Sequence, residues 1–594
     1  MATIQAKKSK GYKYWYIVES RRVNGKPRPV VLAYLGKAED LLNRLNQSTE
    51  ALTLKSYSHG AMAALLKKAI ELDMVKTINK YIRSHKSYRT EKPVRHNLTA
   101  GITFLLGAIG RICMPTSKQG WWNWAKGTSA EYLLKCSLCK MDSQHFWDLM
   151  DSLPEDHIAS LEEELIKKVL QQYEISSQTL LYDTTNFFTY IHTTNTKNTI
   201  AQRGKNKQKR GDLRQVGMAL VVTQKDSIPL FHYAYQGNRH DSVVFKDLIK
   251  QLHQRLNNLG LPPDQHTIVF DRGNNSKENF QQLRESGMHY IGALNPCNFR
   301  QQIYDAEDKY QAVTIKEATL QVARQQVVVW GKKETVLIFV SDRLKAGQIR
   351  GIYQALEKKE KQLQELQEKL AGSNAKRRNR AKLEQQIARI CKGQFINGII
   401  SWSLKERRFS DQNKGKENGG DLPDTGHFLL QYTIRHERLK EIEEQLGFRV
   451  LMTNRNEWDT AKIIQSFFDQ SVVEGAFKEM KNPHHLAIRP QYHWTDQKIR
   501  VHFFICVLGY LLASLVKKEL KEKTGYTRSM DTLINSLNNI RLATILEDSN
   551  KPGKPKARYK LEEMSEHEKQ IMEALEISDF HLKKQKINGV GVYN

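Results

Sequence analysis

Two short apolar runs that each end in an aspartate constrain the fold of this sequence most strongly. In LLYDTTNFF the acid is Asp183, and in TIVFDRG it is Asp271. Apolar runs this short, bounded by turn residues, are typical of buried strands rather than helices. Open α/β sheets bind ligands beyond the ends of their strands. We therefore expect both acids at a ligand-binding sheet edge, although an aspartate after a strand can also serve only as a turn former or cap.

The segments around these runs predict a mixed α/β sheet between residues 178 and 294. VGMALVVT and PLFHYAYQ follow the first run as two further strands. A helix, DSVVFKDLIKQLHQRL, precedes the second run, and HYIGAL follows it as another strand. Meandering strands followed by alternating helix and strand are typical of such a sheet.

A third acid lies on a predicted amphipathic helix, SVVEGAFKEMKN, at residues 471–482. Glu474 and Lys481 are seven residues apart, so they point the same way, about 10 Å apart along the axis. Asp183, Asp271 and Glu474 together offer the hard oxygen ligands that Mg²⁺ or Mn²⁺ prefers. A two-metal site of this kind can cleave a phosphodiester. The alternative for the helix is a surface ion pair.

The charge of the chain favours a polyanionic partner. Its 93 Lys and Arg residues face 64 Asp and Glu residues, which gives a net charge of +29. Nucleic acid is the first partner class that such a charge favours, and an anionic membrane is the second. We expect no stretch close to the ~18 apolar residues of a membrane span, and the N-terminus lacks an apolar signal core. The sequence therefore predicts a soluble, nucleic-acid-binding protein without a membrane partner.

The six cysteines do not predict a disulfide framework. Cys136 and Cys139 form one CSLC pair without a second pair or HxxxH nearby. A zinc or redox function stays open for this pair, but buried or idle thiols and a reducing compartment fit the pattern better.

The pattern along the chain divides it into six predicted parts. Residues 12–36 alternate around Asn24-Gly25 as a β-hairpin, and helical periodicity begins near residue 52. The parts are an N-terminal β-hairpin module at 1–50, a helical DNA-binding domain at 51–175, the first part of the α/β core at 176–296, an insertion at 297–447, the second part of the core at 448–525, and a helical tail at 526–594.

Two basic segments are further candidates for DNA contact. The insertion should contain a helical hairpin at 352–392, with Arg377 and Arg378 near its tip, although a solvated structural arm is the alternative. In RGKNKQKRGDLR, at residues 203–214, the cations favour DNA contact over a solvated loop; they are Arg203, Lys205, Lys207, Lys209, Arg210 and Arg214. Arg272, directly after Asp271, either helps to position the Asp271 carboxylate or is an ordinary turn residue.

An ordered set of motifs resembles the DDE transposases of bacterial insertion sequences, with the insertion-sequence-four superfamily the most similar. The motifs span residues 178–515 and include YDTTNFF, GDLRQVGMALVV, VFDRGNNSKEN, YIGAL, VLMTN and RPQYHWTDQKIRVHFFICVLGYLL. The resemblance implies an RNase H-like core with Asp183 on its first strand, Asp271 after its fourth and Glu474 on a late helix. It also implies a β-rich insertion between the second and third acids.

The family's Tyr-x2-Arg-x3-Glu-x6-Lys signature falls on Phe467, Gln470, Glu474 and Lys481. The resemblance implies that positions 470 and 481 contact DNA phosphates near the cut. Gln470 cannot form the two-pronged contact of an arginine, so that contact must be weaker or come from another residue.

The resemblance therefore implies a multidomain α+β transposase that holds two Mg²⁺ or Mn²⁺ ions. Such an enzyme binds the terminal inverted repeats of its element, cleaves them, and joins the freed 3′-OH to target double-stranded DNA. We expect a homodimer on paired ends in the bacterial cytoplasm, associated with the nucleoid. The alternatives are a catalytically inactive or domesticated DNA-binding protein, which the changes at Phe467 and Gln470 favour, and a nuclease that does not join strands.

Overall fold

The chain folds into two compact units. The first comprises Met1–Ser176, Thr184–Arg239 and Val472–Asn594, and the second comprises Ser177–Asp183 and His240–Ser471. The computed structural model describes residues 2–9, 12–23, 26–40, 42, 52–82, 98–139, 141–206, 208–372, 375–406, 425–489, 491–547 and 556–583. The division does not follow the predicted domain boundaries, because both predicted parts of the α/β core contribute to both units.

A large mixed sheet forms the centre of the second unit, as the sequence predicts. The order of its described strands is Tyr310–Ile315, Ala318–Val329, Lys332–Val340, Phe448–Thr453, His289–Leu294, Thr267–Phe270 and the first residues of Thr179–Thr189. The first four pairings in this order are antiparallel and the last two are parallel. The strand Lys332–Val340 belongs to the predicted insertion, so part of the insertion extends this sheet.

The parallel strands of this sheet are buried on both faces. Tyr182 and Phe270 are fully buried, and both rings pack against Phe245, with centroids 4.7 and 4.6 Å away. Parallel strands covered on both sides require continuous apolar runs, which explains why each aspartate follows one. The helices of this unit outside the insertion core include Asp241–Asn258, Lys277–Glu285 and Thr460–Phe468.

The rest of the insertion has its own apolar core. Leu363 and Ile387 are fully buried in it, one on each helix of the hairpin. The first helix begins ten residues earlier than predicted, because Ser341 caps it by accepting a hydrogen bond from the Leu344 amide. The elements are the helices Asp342–Ala371, Arg380–Cys391 and His436–Glu444 and the strands Arg378–Asn379, Ile400–Glu406, Thr425–Gly426 and Phe428–Ile434.

The first unit contains the rest of the strand Thr179–Thr189 and a helical assembly. Residues 184–189 of this strand neighbour Arg214–Thr223, which pairs antiparallel with Pro229–Gln236. The helices are Gly60–Glu71, Met74–Tyr81, Ala100–Cys113, Trp121–Ala125, Ala130–Leu134, Ser143–Ser152, Glu155–Gln172, Ser471–Lys481 (from Val472), Asp496–Thr524, Met530–Asn539 and Glu566–Ala574.

One described helix, Asp496–Thr524, is long and apolar enough to cross a membrane by length and composition. No such stretch was expected from the sequence. The most apolar window of this helix has a mean hydropathy of 2.0 and is 94% buried inside the protein. This helix is apolar on all sides because other elements of the first unit surround it.

Two small sheets differ from the prediction. The predicted hairpin, Tyr12–Val23 with Lys26–Gly36, gains a third strand, Ala2–Ser9, while its Asn24-Gly25 turn lies outside the described residues. The tail predicted to be helical also contains the strands Arg541–Glu547 and Lys556–Leu561, which form a sheet with Leu52–Ser58. Leu52–Ser58 and Arg541–Glu547 are almost 500 residues apart, so no local signal indicates their pairing.

Candidate active site

Asp271 follows the strand Thr267–Phe270, whereas Asp183 lies within the neighbouring parallel strand Thr179–Thr189, which continues past the acid instead of ending there as predicted. Leu181 pairs with Val269, and Asp183 and Asp271 each lie two residues after this pair. Side chains two residues apart on a strand share a face, and neighbouring strands lie about 4.8 Å apart. This register supports the prediction that two of the three acids lie side by side.

Asp271 is exposed and held in place by the turn that follows it. Its backbone remains extended, with φ −83° and ψ 167°, and its Oδ1 accepts a hydrogen bond of 2.7 Å from the Arg272 amide. The aspartate therefore does cap the turn Arg272–Asn274, which was the alternative interpretation. Capping uses one carboxylate oxygen, so the same side chain can also bind a ligand.

Arg449 is a candidate that was not identified from the sequence. It lies half-buried on Phe448–Thr453, and its guanidinium stands 5.5 Å from the centre of the Phe467 ring. Burial lowers the pKa of Arg449, whereas the negative charge of Asp271 raises it. Its Nε is buried without a hydrogen-bond partner among the described residues. The sequence signal was a single arginine in the apolar strand FRVLMTN.

The two residues that depart from the family signature are both buried. Phe467 is 5% exposed and Gln470 is 9% exposed. Gln470 was predicted to contact DNA, but the structure covers its side chain, so that contact would require Gln470 to be uncovered. Arg449 stands against the same Phe467 ring and carries the charge that Gln470 lacks.

On the helix Ser471–Lys481, Glu474 is exposed whereas Lys481 is hydrogen-bonded to a neighbouring strand. Val473 and Phe477 anchor the helix in the first unit, and Glu474 is exposed between them. Lys481 donates a hydrogen bond from Nζ to Thr185 Oγ1, and its Nζ lies 5.4 Å from the ring centre of Phe187. Thr185 shares a strand face with residue 183, two positions earlier. Lys481 therefore lies against the strand that carries the first acid.

The basic segment 203–214 contains two kinds of cation. Arg210 forms a two-pronged ion pair with Asp212, at 2.8 and 2.7 Å, and this hydrogen bonding lowers the pKa of Asp212 to about 2. Arg214 donates to the backbone carbonyls of Thr193 and Asn195. The exposed cations outside these contacts are Arg203, Lys205 and Lys209.

The remaining residues that were predicted to contact DNA are exposed or undescribed. Arg272, Arg377 and Arg378 are exposed in the second unit, where they remain predictions for DNA contact. Lys207 lies outside the described residues.

The aspartate pair suits a divalent cation. Two neighbouring carboxylates repel each other, and a hard cation that both ligate removes the repulsion. In the described part of the chain, no three His, Cys, Asp or Glu side chains are grouped closely enough to hold a metal ion. The third predicted acid, Glu474, belongs to the first unit. The CSLC pair shows no zinc site either, and burial raises the pKa of the Cys136 thiol to about 11.

The sequence matches known protein families in two places. Residues 2–63 match the family described as IS1634 family transposase, N-terminal domain, and residues 188–512 match the transposase DDE domain. The second match covers more than half of the chain and includes Asp271 and Glu474, but it begins five residues after Asp183. No curated protein matches the chain significantly.

One solved structure also shows a weak similarity to this chain. It is described as a cryo-EM structure of the piggyBac transposase synaptic complex with hairpin DNA. The sequence identity is 7%, the alignment covers 80% of this chain and 79% of that chain, and the TM-score is 0.39. A likeness of this degree is too weak to support a structural conclusion.

Proposed function

This chain belongs to the DDE transposases, as its motifs predict, and from that premise we propose how it acts on DNA. It binds the terminal inverted repeats of its element, cuts them by metal-assisted hydrolysis, and joins the freed 3′-OH to target DNA. The parallel register that pairs Leu181 with Val269, two residues before each aspartate, is the single observation that supports this proposal.

Asp183, Asp271 and Glu474 would hold two Mg²⁺ or Mn²⁺ ions. When bound, such ions lower the pKa of water and stabilise the leaving oxygen. The aspartates supply adjacent oxygens, and Arg272 orients one of them through its amide. No covalent protein intermediate is needed, because both steps are attacks at phosphorus by an oxygen nucleophile.

An RNase H-like core is the fold that we propose for this site. In chain order, the strand with Asp183 is the first of the core, and Asp271 follows the fourth, Thr267–Phe270. The first strand neighbours the second within the first unit and the fourth within the second unit. This arrangement agrees with what the family resemblance implies for the two aspartates.

Cations around the acids would hold the DNA backbone. Lys481 is placed at the strand of the first acid by Thr185, and Arg449 stands near Asp271 with an unused donor. A guanidinium with a free N–H suits a phosphate oxygen, so Arg449 takes the place of an arginine at position 470 in binding the phosphate. A homodimer on paired ends, in the bacterial cytoplasm, completes the proposal.

Cleavage of end DNA in Mg²⁺ or Mn²⁺ tests the three acids. We expect Asp183→Asn, Asp271→Asn and Glu474→Gln each to abolish cutting while DNA binding remains. Asp264→Asn is the matched control, because it removes an exposed carboxylate before the strand Thr267–Phe270 rather than after it. Undiminished cutting by any of the three variants would refute the assignment of that acid.

Two observations favour the second candidate, a DNA-binding protein without catalysis. The described residues contain no three-acid cluster, and Phe467 and Gln470 are buried substitutes for the signature residues. Specific binding of the inverted repeats without any metal-dependent product would support it. Cleavage without joining of the 3′-OH to target DNA would instead identify a nuclease.

A further inference from the structure

A cavity of about 280 Å³ lies among the helices of the first unit. The helices Ala100–Cys113 and Ser143–Ser152 form much of its wall, and the PTSKQGWW segment and residues 492–505 form the rest. Much of the wall is apolar, with Phe104, Trp121 and Phe146 among its side chains. Small-molecule sites commonly combine such a wall with a few polar groups.

The charged groups of this cavity are all basic. Arg111 and Lys118 line it, and its described lining contains no Asp or Glu. The Lys118 Nζ lies 2.7 Å from His493 Nε2 and 4.3 Å from the Trp147 ring centre. In the part of the chain that the structure describes, neither Arg111 nor Lys118 forms an ion pair with a carboxylate. The cavity therefore attracts an anion.

Of the two histidines that line the cavity, His493 keeps a hydrogen-bond donor that no described residue uses. Burial lowers the pKa of both His493 and His502 well below the usual value, so they are neutral. His493 is 3% exposed and accepts from Lys118 at Nε2, which places its proton on Nδ1, an atom without a partner among the described residues. His502 Nε2 donates to the Ile488 carbonyl at 2.8 Å.

Arg111 has a donor that its neighbours do not satisfy. Its Nη1 donates to the Thr116 carbonyl at 3.1 Å, but its Nη2 lies 3.4 Å from His502 Nε2, which already donates. Two donors that face each other need an acceptor between or beside them. The oxygens of a phosphate are acceptors that would also neutralise Arg111 and Lys118.

We propose that this cavity binds one nucleotide, with its phosphate against Lys118 and Arg111 and its base against the apolar wall. The volume suits one small ligand with a flat ring. The proposal rests on the proposed function in one respect, because a DNA strand held by the transposase is the expected source of the nucleotide. A free nucleotide offers the same chemistry.

Lys481 and the cavity residue Tyr492 both contact the protein segment that runs from Thr185 to Tyr190. Lys481 contacts Thr185, while Tyr492, which is 54% exposed and lines the cavity, has its ring 5.6 Å from that of Tyr190. The Tyr190 amide also donates to the Gln491 carbonyl at 3.0 Å. Thr185 and Tyr190 are five residues apart, which is roughly 17 Å of extended chain. This separation corresponds to about five nucleotides of a DNA strand.

Calorimetric titration of the full chain with thymidine monophosphate and with inorganic phosphate tests the site. We expect the nucleotide to bind more tightly than phosphate, and Lys118→Gln to weaken both at least tenfold. Tyr492→Ala should weaken the binding of the nucleotide but not that of phosphate, and Tyr492→Phe should restore nucleotide binding. The control Lys126→Gln removes the same charge from an exposed position eight residues away and should change neither.

Equal nucleotide binding by the wild type and Lys118→Gln, or no saturable binding by the wild type, overturns the proposal. Lys118→Arg keeps the charge and should keep binding, which separates loss of charge from loss of folding. Competition by a short single-stranded oligonucleotide identifies DNA as the source, and its absence identifies a free nucleotide. Since none of these titrations requires cleavage, intact nucleotide binding by a chain that cuts no DNA would overturn only the transposase mechanism.

Discussion

We propose that Arg449 supplies the phosphate-binding charge that the signature position lacks. The signature position for a phosphate-binding arginine is Gln470, which is buried, and Arg449 stands against the Phe467 ring from a different strand. The free-energy cost of burying the charged Arg449 guanidinium is offset in part by the negative charge of Asp271. A residue that is missing from a motif is therefore best sought among the spatial neighbours of that motif.

Among single residues, we expect Arg449→Gln to slow end cleavage on the order of 100-fold, because it removes a charged donor beside the reacting phosphate. Arg449→Lys should recover part of the rate, since lysine keeps the positive charge but cannot form the two parallel hydrogen bonds of a guanidinium. Single-turnover cleavage at saturating DNA measures the effect. Arg435→Gln, an exposed site in the same unit, is the control; equal losses in both variants would remove Arg449 from the site.

Lys118 should make anion binding depend on pH. Burial and the charge of Arg111 lower the pKa of Lys118 to about 7; Cys506 acts in the opposite direction and Lys498 in the same direction as Arg111. Protonation below pH 7 restores the positive charge, so sulfate affinity should be constant below pH 7 and fall about tenfold per pH unit above it. Lys118→Arg should abolish this pH dependence, because arginine stays charged. A wild-type sulfate affinity that does not change with pH would contradict the prediction.

Among the secondary-structure elements, the turn after the strand Pro229–Gln236 depends on a glycine. A Cβ at Gly237 would stand 1.9 Å from the Gln215 carbonyl oxygen, and the Gln215 side chain donates to the Gly237 carbonyl at 2.7 Å. Gly237 is therefore explained by the close approach of the Gln215 backbone.

Gly237→Ala should lower the free energy of unfolding by about 1–3 kcal/mol, because backbone must move to admit the methyl group. Gly211→Ala is the control, since no atom lies within 4 Å of its added Cβ. Thermal or urea unfolding measures both. Equal stability of the two variants would show that the turn relaxes without cost.

Across the molecule as a whole, the net charge of +29 makes DNA binding sensitive to salt. The structure separates the basic segment into Arg203, Lys205 and Lys209, which are exposed, and Arg210, whose charge Asp212 offsets. Only cations that reach phosphates release counterions from DNA.

Replacing Arg203, Lys205 and Lys209 together by Gln should reduce the slope of log affinity against log salt by about 0.9 for each phosphate that the protein no longer neutralises. Arg210→Gln should change the slope little, because Asp212 already neutralises that side chain. Filter binding across a salt series measures both. An unchanged slope in the triple variant would place the segment outside the DNA interface.

Local periodicity and the order of motifs were enough to predict the class of the protein, the strand that ends before Asp271, and the amphipathic helix of Glu474, but not that the strand of Asp183 continues to Thr189. The three-dimensional structure was needed to learn that the strands of Asp183 and Asp271 pair in parallel, that Arg449 stands near Asp271, and that Arg111 and Lys118 face a cavity whose described lining has no carboxylate. It was also needed to pair Leu52–Ser58 with Arg541–Glu547. Each of these is a contact between residues far apart in the chain, and hydrophobic periodicity records which face of an element is buried but not which partner buries it.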